Sequence, residues 1–214
     1  DFVERGTPIV VTEDTPSAVK DLGYIPLRQK NPPAISAKAF LIADLDNNYV
    51  FLEKNRDEVR PIASITKLMT AGISVEAISQ ARDLTISAGD IEIQGDSGSL
   101  KAGETFVAKD LLAPLLLSSS NDVAYTLART IGKNHFVSLM NKKAEAIGLR
   151  NTQFTDPSGL EQTNVSTPED LLGLVKYIRD VRMPVLEMSA KPAVTLQSDV
   201  APHTWHNFNW KSND

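Results

Sequence analysis

The helical segment that begins at Ser64 is the feature of this sequence that most constrains its fold. Pro61 precedes the segment, and the pattern predicts a helix from Ser64 to about Gln80. Residues three apart share one face of a helix, so Ser64 Oγ and Lys67 Nζ can come within hydrogen-bond reach. Apolar residues recur at helical spacing in the same segment and are expected to face the core: Leu68, Ala71, Val75 and Ile78.

This Ser-x-x-Lys spacing can place a nucleophile beside its own base. A serine hydroxyl is a poor nucleophile until a neighbouring group takes its proton. A lysine can do this near neutral pH when partial burial and nearby cations lower its pKa from about 10.4. The same four residues also occur by chance, as a helix-capping serine and a solvated lysine. The motif by itself leaves both interpretations open.

A second element lies in residues 115–122, where an apolar segment ends in small polar residues and another helical pattern begins. Ser119 and Asn121 form a Ser-x-Asn motif there. With both motifs present, the chain resembles the penicillin-recognising serine enzymes, whose Ser-x-x-Lys, Ser-x-Asn and Lys-Thr-Gly elements line one cleft. Residues 95–112, 154–160 and 207–209 are also similar to low-molecular-mass penicillin-binding proteins. The match is closest to their D-alanyl-D-alanine carboxypeptidase and endopeptidase group and covers roughly residues 34–210.

The resemblance implies a fold class and a role for each motif residue. The expected fold is α/β (α+β), β-lactamase/transpeptidase-like, with an antiparallel sheet flanked by helices and a mostly helical subdomain. Ser64 would be the acylated nucleophile and Lys67 the group that accepts its proton. Ser119 would relay a proton toward the leaving amine, and Asn121 would hold the substrate amide or the Lys67 ammonium. The local alternative is that residues 118–120 only cap the helix that follows them.

The same resemblance implies the substrate and the location. A peptidoglycan peptide ending in or cross-linked through D-Ala-D-Ala would be the substrate, and β-lactams would be covalent inhibitors. No metal or other cofactor is expected. The protein would work outside the cytoplasmic membrane, in the periplasm or at the cell wall, with a signal peptide already removed. The sequence does not separate carboxypeptidase from endopeptidase activity.

The Lys-Thr-Gly triplet of that family is missing from this sequence. Its strand normally follows the region that resembles residues 207–209, so C-terminal sheet strands are expected to be absent from this chain. Losing one oxyanion-hole donor typically costs about a hundred- to a thousandfold in rate. Because the strand with this triplet is missing, the chain is expected to be truncated, nicked or split. A second polypeptide or segment would then complete the sheet. Two alternatives stay open: a catalytically impaired wall-binding or scaffold protein, and a class A-like β-lactamase.

Composition limits the remaining possibilities. With 214 residues, 42% apolar and 23% charged, the chain is expected to form one soluble domain over residues 34–214, preceded by an arm or leader at residues 1–33. A net charge of −5 argues against nucleic acid as a partner. Without cysteine there is neither a disulfide nor a thiolate metal site. The longest apolar run, residues 111–117, is far shorter than the roughly 20 residues of a membrane span.

Two further motifs are interpreted as structural or accidental. The letters of residues 95–98 match those around a chymotrypsin-like nucleophile, but the histidines of this chain, His135, His203 and His206, all follow that serine. These histidines have no close acidic or cysteine cluster, so a metal site is not expected. Residues 156–159, Asp-Pro-Ser-Gly, are typical of a turn.

The rest of the chain gives a coarse secondary structure. Residues 39–45 and 49–53 predict a β-hairpin, and residues 84–86 a short strand, with turn residues at 95–99 and 101–104 for a second hairpin. Helices are predicted at 108–117, interrupted by Pro114, and at 122–131 and 134–147. Gly148 marks a helix end. Thr167 is expected to cap a helix whose first residue is Pro168.

Overall fold

The computed structural model describes residues 35–95 and 98–210. The arm predicted at residues 1–33 lies outside the described residues. Helices and strands are mixed along the chain. The helices are α1 (Thr66–Ala77), α2 (Ala88–Ile91), α3 (Leu112–Leu117), α4 (Asn121–Thr130), α5 (Lys133–Ala146), α6 (Pro168–Val181) and α7 (Met183–Ser189).

The strands pair two by two. Across the described part of the chain they form four two-stranded antiparallel ladders, β1–β2, β3–β6, β4–β5 and β7–β8. Short strands of this kind gain their stability from the helices that cover them. The strands are β1 (Phe40–Ala43), β2 (Val50–Lys54), β3 (Arg60–Pro61), β4 (Asp83–Thr85), β5 (Thr105–Val107), β6 (Val165–Ser166), β7 (Ala193–Gln197) and β8 (Pro202–His206).

The first predicted hairpin is confirmed. β1 pairs with β2 from Phe40 opposite Lys54 to Ala43 opposite Val50, with a bulge between Ile42 and Ala43. The second hairpin is only half right, because β4 pairs not across a tight turn but with β5, beyond a long connection that contains α2. The predicted turn residues that the structure describes lie inside that connection.

Helix α1 is the centre of the core. It is shorter than predicted, because a 3₁₀ turn (Ala63–Ile65) precedes it and Ile78 is already extended. Ala71 and Ile78 are buried, and Leu68 and Val75 pack against the core from its edge, which confirms the predicted apolar stripe. Helices α3 to α7 surround α1. They contribute large buried side chains: Leu115, Leu127, Phe136, Met140, Leu174, Ile178 and Val185.

Two of the predicted helix boundaries are confirmed by the local geometry of Thr167 and Gly148. Thr167 Oγ1 accepts a hydrogen bond from the Asp170 amide (3.1 Å), and Pro168 is the first residue of α6. Gly148, with φ +81°, follows the end of α5. The segment with Pro114 divides into a 3₁₀ turn (Ala108–Leu111) and α3. Pro114 lies in the first turn of α3, where its missing N–H breaks no helical hydrogen bond.

Helix α7 and the β7–β8 hairpin have no counterpart in the sequence prediction. Helix α7 is short and carries Pro184 near its start, so local periodicity does not reveal it. It packs against α3 and α6, and its Val185 is fully buried. In β7 and β8 the outward residues Thr195 and Thr204 bond each other, and Trp205 is buried. None of the helices in the described ranges combines the length and apolar composition needed to cross a bilayer.

Candidate active site

Ser64, Lys67 and Ser119 come together at the N-terminal end of α1. Lys67 Nζ donates a hydrogen bond to Ser64 Oγ over 3.0 Å, and Ser119 Oγ donates to the same oxygen over 2.9 Å. Lys67 is only 2% exposed, whereas Ser64 is exposed. An accessible hydroxyl therefore lies between a buried amine and a second hydroxyl. When the amine is neutral, the same contact lets Nζ accept the Ser64 proton.

The backbone is strained at one of these residues and immediately before another. Ala63, immediately before Ser64, has φ +45°, and Ser119 has φ +58°. Residues other than glycine rarely adopt this left-handed backbone region, and each instance costs about 1–3 kcal/mol. Such strain persists only where the surrounding contacts enforce it. In this chain it brings the two hydroxyl oxygens into contact.

The three consecutive serines of the second motif make three different contacts. Ser118 Oγ donates to the Pro114 carbonyl (3.0 Å), and Ser120 Oγ accepts from the Val123 amide (3.2 Å) as the N-cap of α4. Ser119 Oγ points away from both and contacts Ser64. The capping alternative therefore holds for Ser120 alone. The hydroxyl of Ser119 remains available for chemistry at Ser64.

Asn121, the last residue of the second motif, is almost fully buried at the start of α4. Its Nδ2 donates to the carbonyl of Gln94 over 2.9 Å. Gly95, which follows, has φ +97°, and a Cβ there would lie 2.6 Å from the same nitrogen. The connection between β4 and β5 thus fixes the orientation of the Asn121 amide. A role of Asn121 in holding substrate stays a prediction.

Residues 156–164 form a loop that packs against the start of α1, beside Ser64 and Lys67. The Ser158 carbonyl accepts a hydrogen bond from Lys67 Nζ over 2.8 Å. The Pro157 carbonyl accepts from Thr70 Oγ1 over 2.6 Å, one turn further along α1. Gly159, with φ +87°, lies so close to Ala63 that an added Cβ would be 1.9 Å from the Ala63 carbonyl oxygen. This loop therefore positions both the Lys67 amine and the strained residue before Ser64.

Asp156 organises the loop from its interior. Its carboxylate accepts hydrogen bonds from the Ser158 hydroxyl and from the backbone amides of Ser158, Gly159 and Glu161, as well as from Asn164 Nδ2. Burial alone would raise the pKa of Asp156, but these hydrogen bonds outweigh it and hold the pKa below its ordinary value. Asp156 is therefore a buried carboxylate that stays charged.

A cleft of about 600 Å³ opens beside Ser64. Its walls include Lys67 and Ser119, and Asn209 from the region after β8. Asn207, in contrast, turns its Nδ2 toward the carbonyls of Ser189 and Lys191. Residues 207–209 form an Asn-x-Asn element, and its two asparagines differ in role. Asn207 holds the backbone at Ser189 and Lys191, whereas Asn209 faces the cleft.

An ion pair between the buried carboxylate of Asp90 and the exposed guanidinium of Arg129 supports the connection that holds Asn121. Asp90 in α2 accepts hydrogen bonds from the guanidinium of Arg129 in α4, the shortest at 2.7 Å, and Arg129 also donates to the Thr85 carbonyl. Burial by itself would raise the pKa of Asp90. The bonds from Arg129 and Ser87 outweigh that effect and keep the pKa below its ordinary value.

Replacing Arg129 by methionine is expected to lower the free energy of unfolding by about 1–2 kcal/mol near neutral pH. A carboxyl with a lowered folded-state pKa stabilises the fold above its unfolded pKa of about 3.9, and this contribution is lost as the pH falls through the folded-state value. The difference in the free energy of unfolding between parent and variant should therefore shrink as the pH falls toward about 2. Urea unfolding across pH measures it, and Arg150→Met, at an exposed position, is the control. A difference that is constant across pH would contradict the prediction.

His203 contacts an acidic side chain and an aromatic ring. His203 Nε2 lies 3.0 Å from Glu104 Oε1, and its ring stacks on Trp205 at a centroid distance of 5.6 Å. Within residues 35–95 and 98–210, no three His, Cys, Asp or Glu side chains are grouped so that they could hold a metal ion. The interpretation of residues 95–98 as an accidental match falls partly on residues 96 and 97, which lie outside the described ranges.

The sequence and the arrangement of the motifs can be compared with known proteins. The profile of the D-alanyl-D-alanine carboxypeptidase family of peptidases matches residues 27–213, nearly the whole chain. The chain belongs to this family. A D-alanyl-D-alanine endopeptidase of Pseudomonas aeruginosa is 36% identical over 156 residues, which cover 71% of this chain and 49% of that protein. A D-alanyl-D-alanine endopeptidase of Escherichia coli is 37% identical over 148 residues, covering 67% of this chain and 47% of that protein.

Solved structures of carboxypeptidase relatives share the fold. A crystal structure of a D-alanyl-D-alanine carboxypeptidase from Mycobacterium tuberculosis superposes with a TM-score of 0.77 at 28% identity, covering 83% of this chain and 68% of that one. The expected penicillin-binding and transpeptidase fold class is thereby confirmed. The chain spans about half the length of the curated relatives it matches, such as the two endopeptidases.

For this carboxypeptidase-family chain, sequence reasoning brought the three principal residues to one place but missed their support. The Ser158 carbonyl, the Asp156 carboxylate and the tight contact of Gly159 were all contained in a segment interpreted as a turn. That interpretation is correct for the backbone. The sequence signal that could have revealed more is Asp156. An aspartate followed by Pro, Ser and Gly commonly accepts hydrogen bonds from the backbone amides that follow it.

Proposed function

We propose that the protein is a serine peptidase that cleaves the bond after a D-alanine carbonyl in peptidoglycan peptides through an acyl-enzyme on Ser64. One observation carries the proposal: Ser64 Oγ lies within hydrogen-bond distance of both Lys67 Nζ and Ser119 Oγ. A hydroxyl in this position has a base to take its proton and a hydroxyl to pass a proton onward. Membership of the D-alanyl-D-alanine carboxypeptidase family supports the same substrate class.

The geometry supports a two-step reaction. Neutral Lys67 takes the proton of Ser64 Oγ as this oxygen attacks the D-alanine carbonyl carbon. The tetrahedral intermediate collapses when the scissile C–N bond breaks and the leaving amine receives a proton by way of Ser119. Water then attacks the ester carbonyl carbon, the bond between Ser64 Oγ and that carbon breaks, and the proton released by the water is passed to Ser64 Oγ. Asn121 holds the substrate amide or the Lys67 ammonium.

The leaving group decides between the two activities of the family. If free D-alanine leaves, the enzyme is a carboxypeptidase, and if the amine of a cross-linked peptide leaves, it is an endopeptidase. The endopeptidase relatives favour the second. A peptidoglycan substrate places the protein outside the cytoplasmic membrane. Completion of the sheet and of the oxyanion hole by a further segment or a second polypeptide stays a prediction.

The test is mass spectrometry of the intact protein after incubation with a β-lactam, which acylates the same nucleophile as the peptide. The parent protein is expected to gain the mass of one opened β-lactam, and Ser64→Ala is expected to gain none. Ser118→Ala is a matched control, because it removes a neighbouring hydroxyl whose bond goes to Pro114. It should retain the adduct.

The alternatives give different results in the same experiment. If the protein is a wall-binding or scaffold protein, the parent, expressed as its gene encodes it, should form no adduct. It should still bind peptidoglycan. A class A-like β-lactamase would form the adduct and lose it within seconds, because a glutamate and a positioned water hydrolyse the acyl-enzyme in that class. A persistent adduct on Ser64 would exclude both.

A further inference from the structure

The contact between Lys67 and the Ser158 carbonyl continues through a single peptide group to Asp156. The carbonyl oxygen of the Ser158–Gly159 peptide accepts from Lys67 Nζ over 2.8 Å. The N–H of the same peptide group donates to Asp156 Oδ1, also over 2.8 Å. A carboxylate, a peptide group and the amine of the base are therefore connected in series.

Hydrogen bonds in such a series polarise one another. A negative charge that accepts the N–H of an amide increases the electron density on the carbonyl oxygen of that amide. The Ser158 oxygen thereby becomes a stronger acceptor for an ammonium group. The carboxylate is in place to act in this way, because Asp156 is 1% exposed and its pKa is held below the ordinary value.

We propose that Asp156 is a positioning residue that stabilises the ammonium form of Lys67 through the Ser158–Gly159 peptide group. This inference rests on the proposed function, in which Lys67 takes the proton of Ser64. The step in question is the transfer of that proton, which leaves Lys67 positively charged. A negative charge behind its hydrogen-bond acceptor makes that charged form more favourable, as the buried aspartate does for histidine in serine proteases.

The surroundings of the series show why Asp156 can hold a fixed position. Its other oxygen accepts from the Glu161 amide and from Asn164 Nδ2. The Asn164 backbone carbonyl accepts from the Ile62 amide over 3.0 Å, two residues before Ser64. Lys67 Nζ contacts the Ser64 hydroxyl on its own side and the Ser158 carbonyl on the other. The charge behind that carbonyl is that of Asp156.

A change at Asp156 should alter the pH dependence of acylation as well as its rate. Acylation requires neutral Lys67, so the rate rises with pH along an acid limb as Lys67 loses its proton. Without the carboxylate the ammonium form is less stable, and the acid limb of Asp156→Asn should move to lower pH by about one unit. The ratio of parent to variant rates should then be about tenfold larger above the acid limb than below it.

The test measures the rate of β-lactam acylation from acid to alkaline pH, in the protein as its gene encodes it. Asp170→Asn is the matched control, because Asp170 is also a buried carboxylate and accepts from Asn151 N and Thr152 Oγ1, away from Lys67. It should lose stability without moving the acid limb. If Asp156→Asn does not fold, the double variant Asp156→Asn/Asn164→Asp replaces it, since it keeps one carboxylate in the buried pair and moves the charge away from the Gly159 amide.

The outcomes separate the two proposals. Movement of the acid limb in the Asp156 variant, and not in the Asp170 variant, is the expected result. An acid limb at the parent's pH in a folded Asp156 variant would overturn the inference and leave the proposed function intact. A parent protein that no β-lactam acylates at any pH would overturn the proposed function, and the inference with it.

Discussion

Replacing Lys67 by methionine is expected to lower the rate of β-lactam acylation by about a hundred- to ten-thousandfold, the usual contribution of a positioned general base. Methionine fills a similar volume, so the packing of α1 is retained, while Ser64 loses the group that takes its proton. The Ser158 carbonyl also loses its donor, which should reduce the free energy of unfolding by about 1 kcal/mol. Stopped-flow acylation with a chromogenic β-lactam measures the rate.

The control for this prediction is Lys142→Met, which removes an equal charge from an exposed position on α5. Its acylation rate should equal that of the parent. If Lys67→Met is acylated within about tenfold of the parent rate, another group takes the Ser64 proton. Ser119 would then be the next residue to replace, because its hydroxyl is the other hydrogen-bond partner of Ser64.

Replacing Gly159 by alanine is expected to destabilise the protein by at least about 3 kcal/mol, the sum of a strained backbone and a steric overlap. The new Cβ would lie 1.9 Å from the Ala63 carbonyl oxygen and 2.4 Å from its carbon. Both partners are backbone atoms, so neither can rotate away. The loop must move, and the Ser158 carbonyl must move with it. Thermal and urea unfolding measure the loss of stability, and acylation measures the displacement of Lys67.

Gly148→Ala provides a matched control for this substitution. Gly148 has φ +81°, close to the +87° of Gly159, but a Cβ there would meet no atom within 4 Å. The Gly148→Ala variant should lose only about 1–2 kcal/mol of its free energy of unfolding, which is the cost of the left-handed backbone. The difference between the two variants isolates the contact with Ala63. Equal losses in both would mean that the loop beside Ser64 adapts without resistance.

Local features of the chain were predicted well because short-range physics decides them. The N-cap at Thr167, the helix end at Gly148 and the β1–β2 hairpin each depend on residues within a few positions of one another. The same holds for the pairing of Ser64 with Lys67, three residues apart. Helix α7 and the β7–β8 hairpin were missed because their stability comes from packing, with Val185 and Trp205 buried against distant elements.

The motif resemblance extended this local view to the family and to the participation of Ser119. It did not show how Ser119 is made available. In the structure, Ser120 caps α4 and Ser118 bonds the preceding helix, and the strained backbone of Ser119 directs its hydroxyl to Ser64. A run of three serines carries no sign of this division, because each of them has the same local preferences.

The sequence by itself indicated the candidate catalytic side chains: a serine and a lysine on one face of a helix start, and a second serine before another helix. Only the tertiary structure decided their environment. Ser119 lies 55 residues from Ser64, and the Ser158 carbonyl lies 91 residues from Lys67. Contacts over such separations depend on how α1 packs against α3, α4 and the loop at residues 156–164. Periodicity and capping describe neighbours along the chain, so they contain no information about which distant carbonyl a buried lysine will meet.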